Sequence, residues 1–185
     1  MIEAEGLELS ETELLHQCIF MLNAGHETST NMLSHGLNEL VSHKDQYKLL
    51  QKEPGRIDTA IDEILRFQPP IQINNRRCLE KTKLRDIVVP EGTSVHMIIA
   101  GANRDPLQFF EPETFDISRS PNRHLSFGLG IHICAGINLA RIEAKVAFQS
   151  LMSSFREINI LKKPKVANRI RFREIKEMQI EISSL

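Results

Sequence analysis

The stretch Phe127-Gly128-Leu129-Gly130-Ile131-His132-Ile133-Cys134-Ala135-Gly136 holds the residue types and spacing best suited to chemistry. Two glycines, at 128 and 130, let a loop fold tightly and bring its backbone close to something flat or bulky. Cys134 follows, and the apolar run behind it predicts that this cysteine stands at the start of a helix. Unpaired N–H groups and the positive end of the helix dipole stabilise a thiolate at such a place. Gly136 would let the helix approach its neighbour closely. A thiolate held by backbone donors and open on one face suits an axial metal ligand. Read alone, Cys134 is equally well a buried, inert cysteine after a glycine turn.

Two more constellations carry candidate chemistry. Glu63 and Arg66 are three residues apart, which puts both charges on one helix face. Such a pair by itself is ordinarily a solvated surface pair worth under about 1 kcal/mol. Ala24-Gly25-His26-Glu27-Thr28-Ser29-Thr30 is a polar interruption inside an otherwise apolar helical pattern. A threonine hydroxyl can hold a water and an acid can relay protons from solvent, so Thr28 and Glu27 suit proton delivery. The plainer alternative is a helix kink with the Thr28 hydroxyl bonded to its own backbone. His26 reads as a solvent-facing or interior histidine without a role.

These residues need elements to position them. Ser10-Glu11-Thr12-Glu13 reads as a capping box that opens a long helix from about Glu11 to Val41. A short helix is predicted over about Asp45 to Gln51. Another runs from about Thr59 to Phe67 and is stopped by Pro69-Pro70. From Ile71 to Ile99 the pattern turns β-like, with strands at Ile87–Val89 and Val95–Ile99 around the turn Pro90-Glu91-Gly92. Asn103 to Arg123 is rich in Pro, Asp and Asn and reads as a long ordered meander. A helix from Cys134 to about Phe155 is apolar over most of its circumference, which predicts burial. Met178 to Ile182 is a last strand candidate.

Composition bounds what this machinery can serve. The chain of 185 residues has 41% apolar and 25% charged residues and a formal net charge of −1. That composition is globular, and the near-neutral charge gives no reason to expect nucleic acid or a membrane surface as partner. The acidic N-terminal stretch lacks the basic-then-apolar order of a signal peptide, so the cytoplasm is the expected compartment. Cys18, Cys78 and Cys134 are far apart, which argues against a disulfide framework or a C-x-x-C zinc site.

The pattern F-G-x-G-x-H-x-C-x-G at Phe127 to Gly136 resembles, at every specified position, the haem-binding signature of the cytochrome P450 family. The resemblance runs through nearly the whole chain in the family's order: oxygen-activating helix, E-x-x-R helix, β region, meander, cysteine loop, buried helix, terminal strands. It implies a mainly α fold with small antiparallel β elements, residues 1–185 forming the C-terminal portion of the cytochrome P450 fold. It implies haem b as cofactor, with Cys134 as the iron ligand and Phe127, Gly128 and Gly136 shaping its loop. His132, Arg76 and His124 are implied as propionate partners. Gly25 would leave room above the ring, Thr28 and Glu27 would handle protons, and Glu63 with Arg66 would form a buried structural pair, with Arg119 as a possible third member. The implied activity is that of a monooxygenase acting on a small organic substrate, with a ferredoxin-type or flavoprotein electron donor. Phe172-Arg173-Glu174 departs from the family, which often has Gly at the third position, so a different last hairpin is expected. Elements that the family places upstream are absent, which makes a missing N-terminal half or another chain an expected partner. Apolar faces of the long helix at Leu14, Ile19 and Leu37 are then expected to be exposed. Two rival functions are a haem-binding scaffold without catalysis and a cysteine-dependent hydrolase built on Cys134.

Overall fold

The computed structural model describes residues 9–184. The acidic stretch read for its lack of a signal peptide begins at residues 1–8, outside the described ones. Helix α1 spans Glu11–Ser42, 32 residues and about 48 Å long. Its start is set locally, as the capping box requires. The Glu13 N–H donates to Ser10 Oγ at 3.3 Å, and the Ser10 N–H donates back to Glu13 Oε2 at 2.9 Å. Helix α2 spans Lys44–Lys52 and α3 spans Ile57–Phe67. Pro69 and Pro70 cannot extend the α3 ladder, and both are buried just beyond its end.

The β region is four short antiparallel strands rather than two. Strand β1 (Ile73–Arg77) pairs with β4 (Ser94–Ile98), with Ile73 opposite Ile98 and Arg76 opposite Val95. Strand β2 (Thr82–Leu84) pairs with β3 (Ile87–Val89). Ile99, predicted as strand, instead opens the one-turn helix α4 (Ile99–Ala102). The meander from 103 to 123 follows. It has no helix or strand, yet it sends Phe109, Phe115 and Ile117 into the interior.

Helix α5 spans Ile137–Ser154, three residues shorter at its start than predicted. Ile133 is still extended at ψ 144, so the helical ladder cannot begin until the chain has turned at Ala135-Gly136. Gly136 is therefore the N-cap, and its carbonyl accepts from the Ala140 N–H at 2.9 Å. The expectation of a buried helix is also corrected. Only Ala144 and Phe148 of α5 are buried, while Leu139, Ile142 and Val146 are exposed. The described chain covers one stripe of the helix, at the spacing of 140, 144, 148 and 151.

That stripe meets the C-terminal half of α1 and one face of α3 to form the core. Gly36 of α1 marks the crossing. A Cβ there would lie 2.5 Å from Phe148 Cζ and 3.0 Å from Ile64 Cγ2. The first half of α1 is outside this core, and Leu14 and Ile19 are exposed as expected. Leu37 is not, because it packs against the core cluster.

Strand β5 (Phe155–Ile160) leaves α5 directly and pairs antiparallel with β8 (Ile180–Ser184). The predicted last strand thus begins two residues later than Met178. Strands β6 (Lys165–Val166) and β7 (Ile175–Glu177) make a further antiparallel pair. Glu174 causes no distortion here. Its φ is not positive, and its carbonyl accepts from the Ala167 N–H at 2.7 Å. No described helix is long and apolar enough to cross a membrane.

Candidate functional site

The loop from Phe127 to Gly136 has the shape its glycines predict. Gly128 and Gly130 both have positive φ, at 73° and 71°. A Cβ on Gly128 would also press on the His132 carbonyl oxygen at 3.2 Å, so glycine is required there on two counts. A short 3-10 turn over Gly130–His132 follows, and the Cys134 N–H closes the loop by donating to the Phe127 carbonyl at 2.8 Å. Cys134 is exposed rather than buried, which removes the inert-core alternative. It lies three residues ahead of α5 instead of inside its first turn, with the Ile137 N–H 3.4 Å from its carbonyl.

The root of this loop is tied to the core. The Ser126 hydroxyl donates to the Leu65 carbonyl of α3 at 2.6 Å and accepts from Asn103 Nδ2 at 3.0 Å. Asn103 Oδ1 accepts from the Leu125 N–H at 2.8 Å. Asn103 is wholly buried and uses both ends of its amide on this loop. Sequence reasoning passed over Ser126 and placed Asn103 only as the start of the meander, because a single Asn in a turn-rich stretch gives no sign of what it will brace.

Glu63 and Arg66 are both fully buried. The Arg66 guanidinium grips the Glu63 carboxylate with two bonds of 2.8 Å. Its remaining N–H groups donate to the carbonyls of Asn103, Pro112 and Thr114 at 3.0, 2.8 and 3.0 Å. Glu63 also receives Arg119 Nε at 3.1 Å, Asn122 Nδ2 at 3.0 Å and the Asp116 N–H at 2.9 Å. The surface-pair alternative is thus excluded, and Arg119 takes its place as the third charge. The network clamps the meander onto α3 and shares Asn103 with the loop root.

Mid-helix α1 is polar but unbroken. The Thr28 hydroxyl donates to the Ala24 carbonyl at 2.7 Å, and Thr30 does the same to His26 at 2.8 Å. Glu27 Oε1 pairs with Arg169 Nη1 at 2.9 Å. Ser29 Oγ donates to Glu143 Oε2 at 2.7 Å, which links this stretch to α5, one of the elements flanking the cysteine loop. A Cβ on Gly25 would meet nothing within 4 Å. No hydrogen bond joins Thr28 or Glu27 to the cysteine loop among the described residues.

The three residues read as propionate partners lie in different settings. His132 is exposed in the 3-10 turn of the loop. Arg76 is exposed on β1, with Nη1 on the Asn75 carbonyl at 2.9 Å. His124 is turned inward, its side chain 5% exposed. Its Nδ1 accepts from the Ser126 N–H at 3.2 Å and its Nε2 lies 3.3 Å from Asp62 Oδ1. Both ring nitrogens are engaged within the protein, which leaves neither for an outside anion. No hydrogen bond joins the Cys134 thiol to a histidine among the described residues, so the site lacks the pairing of a cysteine hydrolase.

These residues fit a haem. Cys134 supplies one soft donor on an exposed loop. No described cluster of three or more His, Cys, Asp or Glu surrounds it, so the loop does not offer the closed ligand set of a structural metal site. Leu129, Ile131 and Ile133 around the thiol are exposed and apolar, as the face of a flat ring requires.

The comparisons with known proteins agree. The chain matches the cytochrome P450 family over residues 1–169. It is 39% identical over 153 residues to the biotin biosynthesis cytochrome P450 of Bacillus subtilis (strain 168), covering 83% of this chain and 39% of that protein. To the polyketide biosynthesis cytochrome P450 PksS of the same organism it is 39% identical over 163 residues, covering 88% and 40%. The fold superposes on P450BioI, solved in complex with hexadec-9Z-enoic acid ligated acyl carrier protein, with a TM-score of 0.93 and 36% identity, covering 95% of this chain and 46% of that one. The solved structure of PksS gives a TM-score of 0.93 at 34% identity, covering 98% and 48%. The fold is thus the helical one of the bacterial cytochromes P450, with its small antiparallel sheets. The chain belongs to the cytochrome P450 family, and it spans about two fifths of the length of the curated relatives it matches.

Proposed function

We propose that this chain carries the haem–thiolate centre of a cytoplasmic monooxygenase, with haem b as cofactor and Cys134 as its iron ligand. The observation that carries this reading is the exposed Cys134 thiol, held in a glycine-shaped loop whose root is braced by fully buried groups. When bound, the haem supplies the redox and oxygen chemistry: one oxygen atom enters a small organic substrate and the other leaves as water. The electrons come from a ferredoxin-type or flavoprotein donor.

The chain's own residues serve that chemistry as follows. His132 and Arg76, both exposed, hold propionates by charge-assisted hydrogen bonds. Gly25 keeps the space beside α1 clear. The Thr28 hydroxyl donates to Ala24, which leaves its oxygen lone pairs to accept from a water. Glu27 has one oxygen on Arg169 and the other available to pass a proton from solvent. The test is spectroscopic. Haem-loaded chain, reduced and exposed to carbon monoxide, should show the thiolate-type absorption band, and Cys134→Ala should lose it. A Cys134→Ala protein that keeps an unchanged thiolate-type spectrum overturns the assignment.

A further inference from the structure

Asp62 sits one residue before the buried Glu63, about 100° further round the α3 axis, and so faces a different set of neighbours. Its Oδ1 receives Arg141 Nη2 of α5 at 2.6 Å and lies 3.3 Å from His124 Nε2. Partial burial would raise its carboxyl pKa, but the hydrogen bonds and charges of His124 and Arg141 together outweigh this and hold it below the ordinary value.

Both of its partners bear on one aromatic ring. The His124 ring lies 5.9 Å from the Phe127 ring, tilted by 50°. The Arg141 guanidinium carbon lies 5.5 Å from the Phe127 ring centroid. His124 cannot rotate freely, because Nδ1 is fixed by the Ser126 N–H and Nε2 points to Asp62. Phe127 is the residue whose carbonyl accepts from the Cys134 N–H. The path therefore runs from one carboxylate, through two side chains, to the residue that closes the cysteine loop.

We propose that Asp62 is a positioning residue for the thiolate: through His124 and Arg141 it fixes Phe127, and Phe127 sets the backbone that aims Cys134. The proposal rests on Cys134 being the iron ligand. The loop root then has two anchors of different kinds. Asn103, Ser126 and Leu65 form a buried anchor that belongs to the core. Asp62 forms a rim anchor, 26% exposed, which touches the loop and α5. Removing the rim anchor spares the Glu63–Arg66 network, so its effect falls on the loop.

The test uses the haem-loaded chain in five forms: unaltered, Asp62→Ala, Asp62→Asn, Asp62→Glu and Cys134→Ala. Each is reduced under carbon monoxide, and the conversion of the thiolate-type band to the thiolate-lost form is followed in time. Thermal unfolding of the backbone is recorded in parallel. Asp62→Ala should convert several-fold faster than the unaltered chain, with little change in the unfolding midpoint. Asp62→Glu, which restores the charge, should recover part of the loss. Should Asp62→Ala fail to fold, Asp62→Asn decides, since it keeps the shape and an acceptor and should show a smaller acceleration. Equal conversion rates in Asp62→Ala and the unaltered chain would overturn the proposal. So would a loss of the thiolate band that merely tracks a lowered unfolding midpoint. An unaltered chain that binds haem with no thiolate band overturns the ligand reading and this proposal with it; a thiolate band without any Asp62 effect overturns this proposal alone.

Discussion

Replacing Arg66 with alanine is expected to remove about 3–5 kcal/mol of stability. A guanidinium offers five N–H donors, and in Arg66 each has a partner. Two hold Glu63, and the others satisfy the carbonyls of Asn103, Pro112 and Thr114. Alanine strands the carbonyls of Asn103 and Pro112, while that of Thr114 keeps Arg119 Nη2 at 3.0 Å, and a buried acceptor left without a donor costs about 1–3 kcal/mol. Glu63 is not left alone, since Arg119, Asn122 and the Asp116 N–H still reach it. That residual support keeps the loss within the range for a broken buried pair. Against a total of about 5–15 kcal/mol for a folded domain, it is a large fraction. The assay is urea unfolding followed by circular dichroism. Lys165→Ala serves as the control, because the Lys165–Glu177 pair is 73% and 44% exposed and should contribute under about 1 kcal/mol. Arg66→Lys should recover only part of the loss, because an ammonium is a point charge and cannot reach all these partners at once. A loss below about 1 kcal/mol in Arg66→Ala would refute the reasoning.

Gly36→Ala should destabilise by about 1–3 kcal/mol, because its new methyl would strike Phe148 and Ile64 inside a packed core. Gly25→Ala meets nothing within 4 Å and should stabilise α1 by up to about 1 kcal/mol, so equal denaturation midpoints for these two variants would count against the packing described. Burial lowers the His35 pKa, the carbonyl of Arg173 and the Glu39 carboxylate opposing only in part. The unfolded histidine takes up a proton near 6.5 and the folded one does so only at lower pH, so its contribution is intact above that value and fades as pH falls below it. His35→Gln should flatten the fall in stability between about pH 7 and pH 5; an unchanged slope speaks against it. Thr28→Ala should leave the haem spectrum intact and divert electrons to peroxide, and unchanged coupling of electron use to product would remove Thr28 from proton delivery.

What was legible in the sequence was local. The capping box at Ser10 and Glu13 and the proline stop after Phe67 depend on neighbours within a few residues, and both stand where they were expected. Strand β1 was missed because Ile73-Asn74-Asn75-Arg76-Arg77 has no period-two apolar pattern. Its pairing comes from β4, about twenty residues on. The start of α5 was misplaced because apolar residues run unbroken from the loop into the helix, and only the extended backbone at Ile133 shows where the ladder can begin. The Glu63–Arg66 spacing was visible, but the carbonyls that bury the pair lie far along the chain. Asp62 and Arg141 gave no signal at all, since an acid and a base on helices look like solvated surface groups until the fold brings them together.

The same distinction explains the exposed faces. An apolar pattern states which surface needs covering and is silent on what covers it. In α5 the pattern wraps most of the helix, while the described chain covers only the stripe of Ala144 and Phe148. At the cysteine loop this asymmetry is put to use. The root is fixed by Asn103, Ser126 and Asp62, and the tip carries Leu129 and Ile131, 79% and 95% exposed. Apolar side chains on a backbone already held in place have less conformational freedom to lose when a ligand lands on them. A loop ordered before binding therefore favours a large flat apolar ligand more than a mobile loop of the same composition would. The groups at its root, buried Asn103 with part-buried Ser126 and Asp62, contribute to that affinity through the order they impose.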